Sequence, residues 1–164
     1  MAAQVVKQLP DEPDWIFEVK FDGYRALILK DRARIEIRSR NDRDLTKMYP
    51  EVVAAALTIP VTRPTIDGEI VALDPSGRPT FQALQHRGAN REFPIVFYAF
   101  DLLHLEGADI TGEPLLRRRT KLANAIGHSE VRMSEALPGS ATTVVSAVRE
   151  PNMALSWRSR ETRG

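Results

Sequence analysis

Glu18-Val19-Lys20-Phe21-Asp22-Gly23-Tyr24-Arg25 puts a lysine at the end of an apolar run and follows it at once with a carboxylate, a glycine and an arginine. A lysine held against apolar neighbours loses its proton more readily than its reference value of about 10.4 suggests, because desolvation and nearby cations disfavour the ammonium form. The free amine is a nucleophile. Gly23 lets the backbone bend tightly and approach a ligand, while Arg25 offers a planar fork of donors to ribose or phosphate. The same letters also fit a plain hairpin, with Asp22-Gly23 as its turn and Lys20 and Arg25 as solvated strand ends.

Outward from this stretch the pattern is mostly of strand type. Trp15 to Lys20, Tyr24 to Lys30 and the alternating Ala33-Arg34-Ile35-Glu36-Ile37-Arg38 read as an antiparallel meander. Pro50 suits the first turn of a helix whose apolar residues run from Val52 to Leu57, ended by Pro60 and Pro64. Strands resume at Thr65 to Leu73 and reverse at Asp74-Pro75-Ser76-Gly77. Thr80 caps a short helix through His86, Ile95 to Leu103 is a buried strand, and Leu115 to Ile126 is a helix with a basic outer face. A helix is expected from about Ser140 to Val148, and from Pro151 to Gly164 the chain reads as a poorly tied end. Strands and helices mix without regular βαβ alternation, so the expected class is α+β, with antiparallel sheets and flanking helices.

The 164 residues fit one domain, and 43% hydrophobic with 27% charged residues is ordinary globular composition. Lys and Arg number 23 against 22 Asp and Glu, so bulk charge does not announce a nucleic-acid binder and any such role rests on local clusters. Lys30 to Lys47 holds seven Lys and Arg against four Asp and Glu, and Arg117, Arg118, Arg119 and Lys121 form a second cluster. Both could track phosphates without reading sequence, and both also fit solvated faces. The absence of cysteine excludes disulfides, a thiol nucleophile and thiolate metal sites. No apolar leader and no long apolar span occur, which makes the cytoplasm the expected location. His86, His104 and His128 have no ligand spacing and read as structural.

Lys20-Phe21-Asp22-Gly23-Tyr24-Arg25 resembles the first motif, Lys-x-Asp-Gly-x-Arg, of the covalent nucleotidyltransferases: ATP-dependent DNA ligases, RNA ligases and mRNA capping enzymes. Companions follow in family order. Ser39-Arg40-Asn41 resembles motif Ia, Asp67-Gly68-Glu69 motif III, and Phe97-Tyr98-Ala99-Phe100-Asp101-Leu102-Leu103 motif IIIa. With Pro114-Leu115-Leu116-Arg117-Arg118-Arg119, the wording is most similar to the ligase module of bacterial end-joining DNA ligases, from about Leu9 to Glu150.

The resemblance implies a nucleotidyltransferase fold in which Lys20 attacks the α-phosphorus of ATP and becomes lysyl-AMP. AMP then passes to the 5′-phosphate of nicked double-stranded DNA, and the 3′-hydroxyl displaces it. Mg2+ or Mn2+ is implied, with Glu69 as its ligand or as a ribose contact. Glu18, Arg25, Arg40, Glu69 and Phe100 match nucleotide-binding positions: Arg25 and Arg40 on ribose and phosphate, Phe100 stacked on adenine, Glu18 in base selection. Asp22, Gly23, Asp67 and Gly68 support the motifs, and the Arg117, Arg118, Arg119 and Lys121 cluster is a candidate DNA contact. The implied setting is DNA repair and recombination, nucleoid-associated when on DNA, with an end-joining partner such as Ku.

Motif IV, Glu-Gly-x-x-x-Lys, and motif V, Lys-x-Lys, do not follow Glu150. The expected organisation is therefore a partial adenylation domain over 1–150 and a divergent tail over 151–164, without an OB-fold. A shifted reading frame is one source of such a break. The expected consequences are slow self-adenylation, no efficient sealing, an exposed sheet edge and marginal stability or self-association. A non-catalytic nucleotide- or DNA-binding remnant, and an RNA ligase or capping-type enzyme, remain alternatives.

Overall fold

Runs of β-branched and aromatic residues with period-two burial build most of the molecule. The structure is a computed structural model that describes residues 15–86, 93–137 and 154–159. In chain order its elements are β1 (Trp15–Lys20), β2 (Tyr24–Asp31), β3 (Arg34–Ser39), α1 (Pro50–Leu57), β4 (Thr65–Ala72) and α2 (Phe81–Gln85). There follow β5 (Ile95–Leu105), β6 (Ala108–Asp109), α3 (Leu115–Ile126), β7 (Arg132–Met133), β8 (Ala136–Leu137) and β9 (Ala154–Ser159). The larger sheet has the order β3-β2-β4-β5-β6 with antiparallel neighbours, and β7 adds parallel to β5. The smaller sheet has the order β8-β1-β9. The α+β expectation is met.

Along β2, Ala26 and Ile28 are buried while Arg25, Leu27 and Leu29 are only partly so, the alternation expected of a strand with one core face. Ile37, Ile66, Ile70, Phe97 and Leu102 join Ala26 and Ile28 in one core, covered by Val52, Ala55 and Ala56 of α1 and Leu122, Ala125 and Ile126 of α3. Pro50 sits in the first turn of α1, where its missing N–H costs no hydrogen bond. At the other end Lys30 Nζ donates to the carbonyls of Ala56, Leu57 and Ile59, satisfying acceptors that a helix terminus leaves unpaired. The reversal at Asp74 forms as read: its carboxylate accepts from the amides of Ser76 and Arg78, and Gly77 takes a positive φ of 81°.

Four expectations need correction. The three-strand meander does not form, because β1 pairs with β8 and β9 while β2 pairs with β3 and β4. Asp22-Gly23 is thus not a hairpin turn but part of the crossing from one sheet to the other. Thr80 precedes α2 as expected, but its side chain makes no capping hydrogen bond. The tail read as poorly tied supplies β9, which pairs along all of β1 from Trp15↔Ser159 to Lys20↔Ala154. β1 is consequently flanked on both sides. A strand edge is a row of unpaired N–H and C=O groups, and the period-two run Leu155-Ser156-Trp157-Arg158 is able to satisfy it. The helix expected over 140–148 lies outside the described residues.

Candidate active site

Lys20 ends β1, Arg25 is the second residue of β2, Glu69 lies in β4 and Phe100 in β5, and together with Glu18, Asp22 and Gly23 they line one cavity of about 230 Å³ where the two sheets meet. The register explains the convergence. Arg25 stands directly opposite Glu69, and Leu27 opposite Asp67, so Arg25, Asp67 and Glu69 share a face. Arg25 reaches diagonally to Asp67 with Nη2 on Oδ2 at 2.5 Å and Nε on Oδ1 at 3.1 Å, a two-point pairing that fixes the guanidinium plane. That plane lies 5.3 Å from the centroid of Phe100.

Phe100 owes its place to a bulge. Asp67 faces Asp101 and Gly68 faces Ala99, so Phe100 is the extra residue on β5 and turns out of the regular alternation. The glycines are sterically fixed. A Cβ on Gly68 would lie 2.4 Å from the Phe97 ring and from the Tyr98 carbonyl oxygen, and one on Gly23 would lie 2.2 Å from the Ile70 carbonyl oxygen. The crossing from β1 to β2 therefore passes tightly over β4, as the bend read at Gly23 requires. Phe21 secures the crossing by stacking on Tyr98, with ring centroids 4.1 Å apart.

Burial pushes the Glu69 carboxyl up to about 7, opposed by the positive charges of Arg25 and Lys20 and reinforced by Asp67. Lys20 itself is exposed, which corrects the expectation of an amine held among apolar neighbours, although it does line the cavity with Glu69 and Phe100. Arg40 is exposed and lies apart from Lys20, in an adjoining space of about 200 Å³ lined by Arg25, Leu27 and Asp67. A larger cavity of about 460 Å³, at the far end of β2 between Lys30, Arg63 and His104, gathers none of the motif residues. Among the described residues no three His, Asp or Glu side chains cluster as a cation site. Glu69 and Asp22 both line the cavity, and a carboxylate there is the kind of donor that suits Mg2+, which takes one or two carboxylates and completes its shell with phosphate and water.

The arginine cluster on α3 divides. Arg118 and Arg119 are buried, with 2% and 6% of their surface exposed, so neither can face DNA. Arg118 pairs with Asp101 through Nε and Nη2, both at 2.9 Å, and donates to the Thr111 and Glu113 carbonyls. Arg119 donates to Glu18. Lys121 pairs with Glu113 at 2.5 Å, and Arg117 alone of the four is exposed and outside these pairs. The signal was present in the helical period: Leu115, Arg118, Arg119, Leu122 and Ile126 form one stripe at three- and four-residue spacing, which is the buried face. Sequence reading also missed Asp101 as an anchor, and Ser134, which lines the cavity from the segment after β7.

A family model described as the ATP dependent DNA ligase domain matches residues 1–154. The chain belongs to the ATP-dependent DNA ligase family. It is 38% identical over 136 residues to the multifunctional non-homologous end joining DNA repair protein LigD of Mycobacterium tuberculosis, covering 83% of this chain and 18% of that protein. It is 42% identical over 135 residues to DNA ligase C2 of Mycolicibacterium smegmatis, covering 77% and 37%. The solved ligase domain of M. tuberculosis LigD superposes with a TM-score of 0.81 at 32% identity, over 93% of this chain and 51% of that one. A mycobacterial DNA ligase D complexed with ATP and MES superposes with a TM-score of 0.79 at 33% identity, over 93% and 50%. This member of the family thus spans about half of the solved ligase domains and less than that of the curated relatives. No helix among its described residues is long and apolar enough to cross a membrane.

Proposed function

We propose that this chain carries the adenylation chemistry of an ATP-dependent DNA ligase of the end-joining type, with Lys20 as nucleophile. The observation that carries the reading is the convergence of Lys20, Arg25, Glu69 and Phe100 on one cavity from four strands of two sheets. In this reading the Lys20 nitrogen loses a proton and forms a bond to the α-phosphorus of ATP. The α–β phosphoanhydride bond breaks and pyrophosphate leaves. Covalent storage of AMP divides the later sealing of a DNA nick into easier displacements. Each displacement is in-line, so placing the groups and balancing their charge supplies most of the catalysis. Arg25, held flat by Asp67, meets phosphate or ribose oxygens, and Phe100 offers its ring face to the base. Because Lys20 is exposed in the structure, seating of the nucleotide is what would remove water from its amine. A divalent ion, Mg2+ or Mn2+, would rest on Glu69 and Asp22 and offset phosphate charge when bound.

The acceptor in this reading is nicked double-stranded DNA in repair and recombination, in the cytoplasm, with an end-joining partner such as Ku. Exposed Arg32, Arg40, Arg43 and Lys47 around β3, with Arg117 on α3, are among the cations that could meet its phosphates. Intact mass after incubation with ATP and magnesium tests the chemistry. Wild-type chain gains one adenylate, and Lys20→Ala gains none. An adduct that survives in Lys20→Ala would defeat the assignment.

A further inference from the structure

Building on the nucleotide reading above, we propose that Arg118 is a positioning residue for Arg25: by neutralising Asp101 from α3, it leaves the Arg25 fork to Asp67 and so to the cavity. Asp67 of β4 and Asp101 of β5 stand directly opposite each other in the sheet register, and both are buried, with 6% and 4% of their surface exposed. Side chains so placed share a face with Cβ atoms roughly 5 Å apart, and like charges there repel. Each carboxylate has its own arginine. Arg25 takes Asp67 through Nη2 and Nε, and Arg118 takes Asp101 through Nε and Nη2, both at 2.9 Å. A row of Arg25, Asp67, Asp101 and Arg118 thus runs from the cavity wall across two strands to α3, with the charges alternating only if the two acids are counted as one centre.

The two arginines differ in what else they can meet. Arg118 is buried, and its Nη1 donates to the Thr111 and Glu113 carbonyl oxygens, so its guanidinium is occupied within the protein. Arg25 lines the cavity with its side chain 34% exposed, so it is the one of the pair that can turn toward a nucleotide. The Asp67 hydrogen bond raises its guanidinium above the ordinary value against the effect of burial, and the charge of Asp101 reaches it as well. Deprived of Arg118, Asp101 would be a buried carboxylate without its cation, a costly arrangement that a neighbouring guanidinium relieves. Arg25, already within its field, would then divide its donors between two acids and lose the two-point geometry that fixes its plane. An ion pair that served folding alone would alter stability and leave the dependence on ATP untouched.

The initial rate of adenylate adduct formation by the full chain, read by intact mass over a range of ATP concentrations with magnesium, separates half-saturating ATP from maximal rate. Arg118→Met should raise half-saturating ATP roughly tenfold or more, the scale of one misplaced charge-assisted hydrogen bond. Adding Asp101→Asn removes the uncompensated charge and should return the value to within about threefold of wild type. In an Arg25→Ala background, Arg118→Met should change half-saturating ATP by less than about twofold, because no fork is left to misplace. Should Arg118→Met fail to fold, Arg118→Gln, which keeps a donor for Asp101 without the charge, takes its place in each comparison. A folded variant with the wild-type half-saturation, no recovery on adding Asp101→Asn, or an undiminished loss in the Arg25→Ala background overturns the proposal while sparing the nucleotide reading. Wild-type chain that forms no adduct at any ATP concentration overturns both.

Discussion

Replacing Glu69 by Gln isolates what it costs to keep a carboxylate on the cavity wall. Its carboxyl rises from 4.5 to about 7 on folding, mainly through burial. At about 1.4 kcal/mol per unit the ceiling is about 3 kcal/mol, and screening by the water that reaches this partly open site lowers it to about 1–2 kcal/mol. The sign follows from linkage: the folded state holds the proton more tightly, so the contribution is full below pH 4.5, falls as pH rises through about 7 and is constant above. Gln carries no proton in either state. The variant should therefore match wild type near pH 4.5 and exceed it by about 1–2 kcal/mol at pH 8, a rise of roughly 3–6 °C in Tm. Thermal or denaturant unfolding of both proteins at half-unit steps from pH 4.5 to 8.5 gives the difference directly. A flat difference, or a Gln variant less stable than wild type at pH 8, would refute the reasoning.

Gly68→Ala would push a methyl group into the Phe97 ring and the Tyr98 carbonyl, both 2.4 Å away, and should cost about 1–3 kcal/mol or more in denaturant unfolding. Arg118→Met leaves Asp101 buried without its ion pair and should cost about 3–5 kcal/mol, recovered in large part by adding Asp101→Asn. Lys20→Ala, at an exposed position, should move stability by no more than about 0.5 kcal/mol, so its loss of adduct cannot be ascribed to unfolding.

The elements whose patterns are local were legible: α1 and α3 occupy the expected spans, and β4 and β5 differ from expectation only at their ends. The motif residues were legible as letters, and the cavity gathers Lys20, Arg25, Glu69 and Phe100. What escaped is set by distant partners. Asp22-Gly23 is locally indistinguishable from a hairpin turn, and the separate sheets that β1 and β2 join, with the closeness of the Ile70 carbonyl, distinguish the crossing. The bulge at Phe100 depends on register against Asp67 and Gly68. Arg119 and Glu18 lie 101 residues apart, so a run of three arginines looks like a charged surface until the stripe through Leu115 and Leu122 is followed.

Lys20 belongs to one sheet, while Arg25, Asp67 and Glu69 belong to the other, and only Phe21 to Gly23 join β1 to β2. The span across the cleft is thus a mechanical coordinate, set by how the small sheet tilts on the large one. The Phe21–Tyr98 stack is the bearing of that joint. Substitutions along the seam should retune the amine's reach while every side chain that lines the cavity is kept.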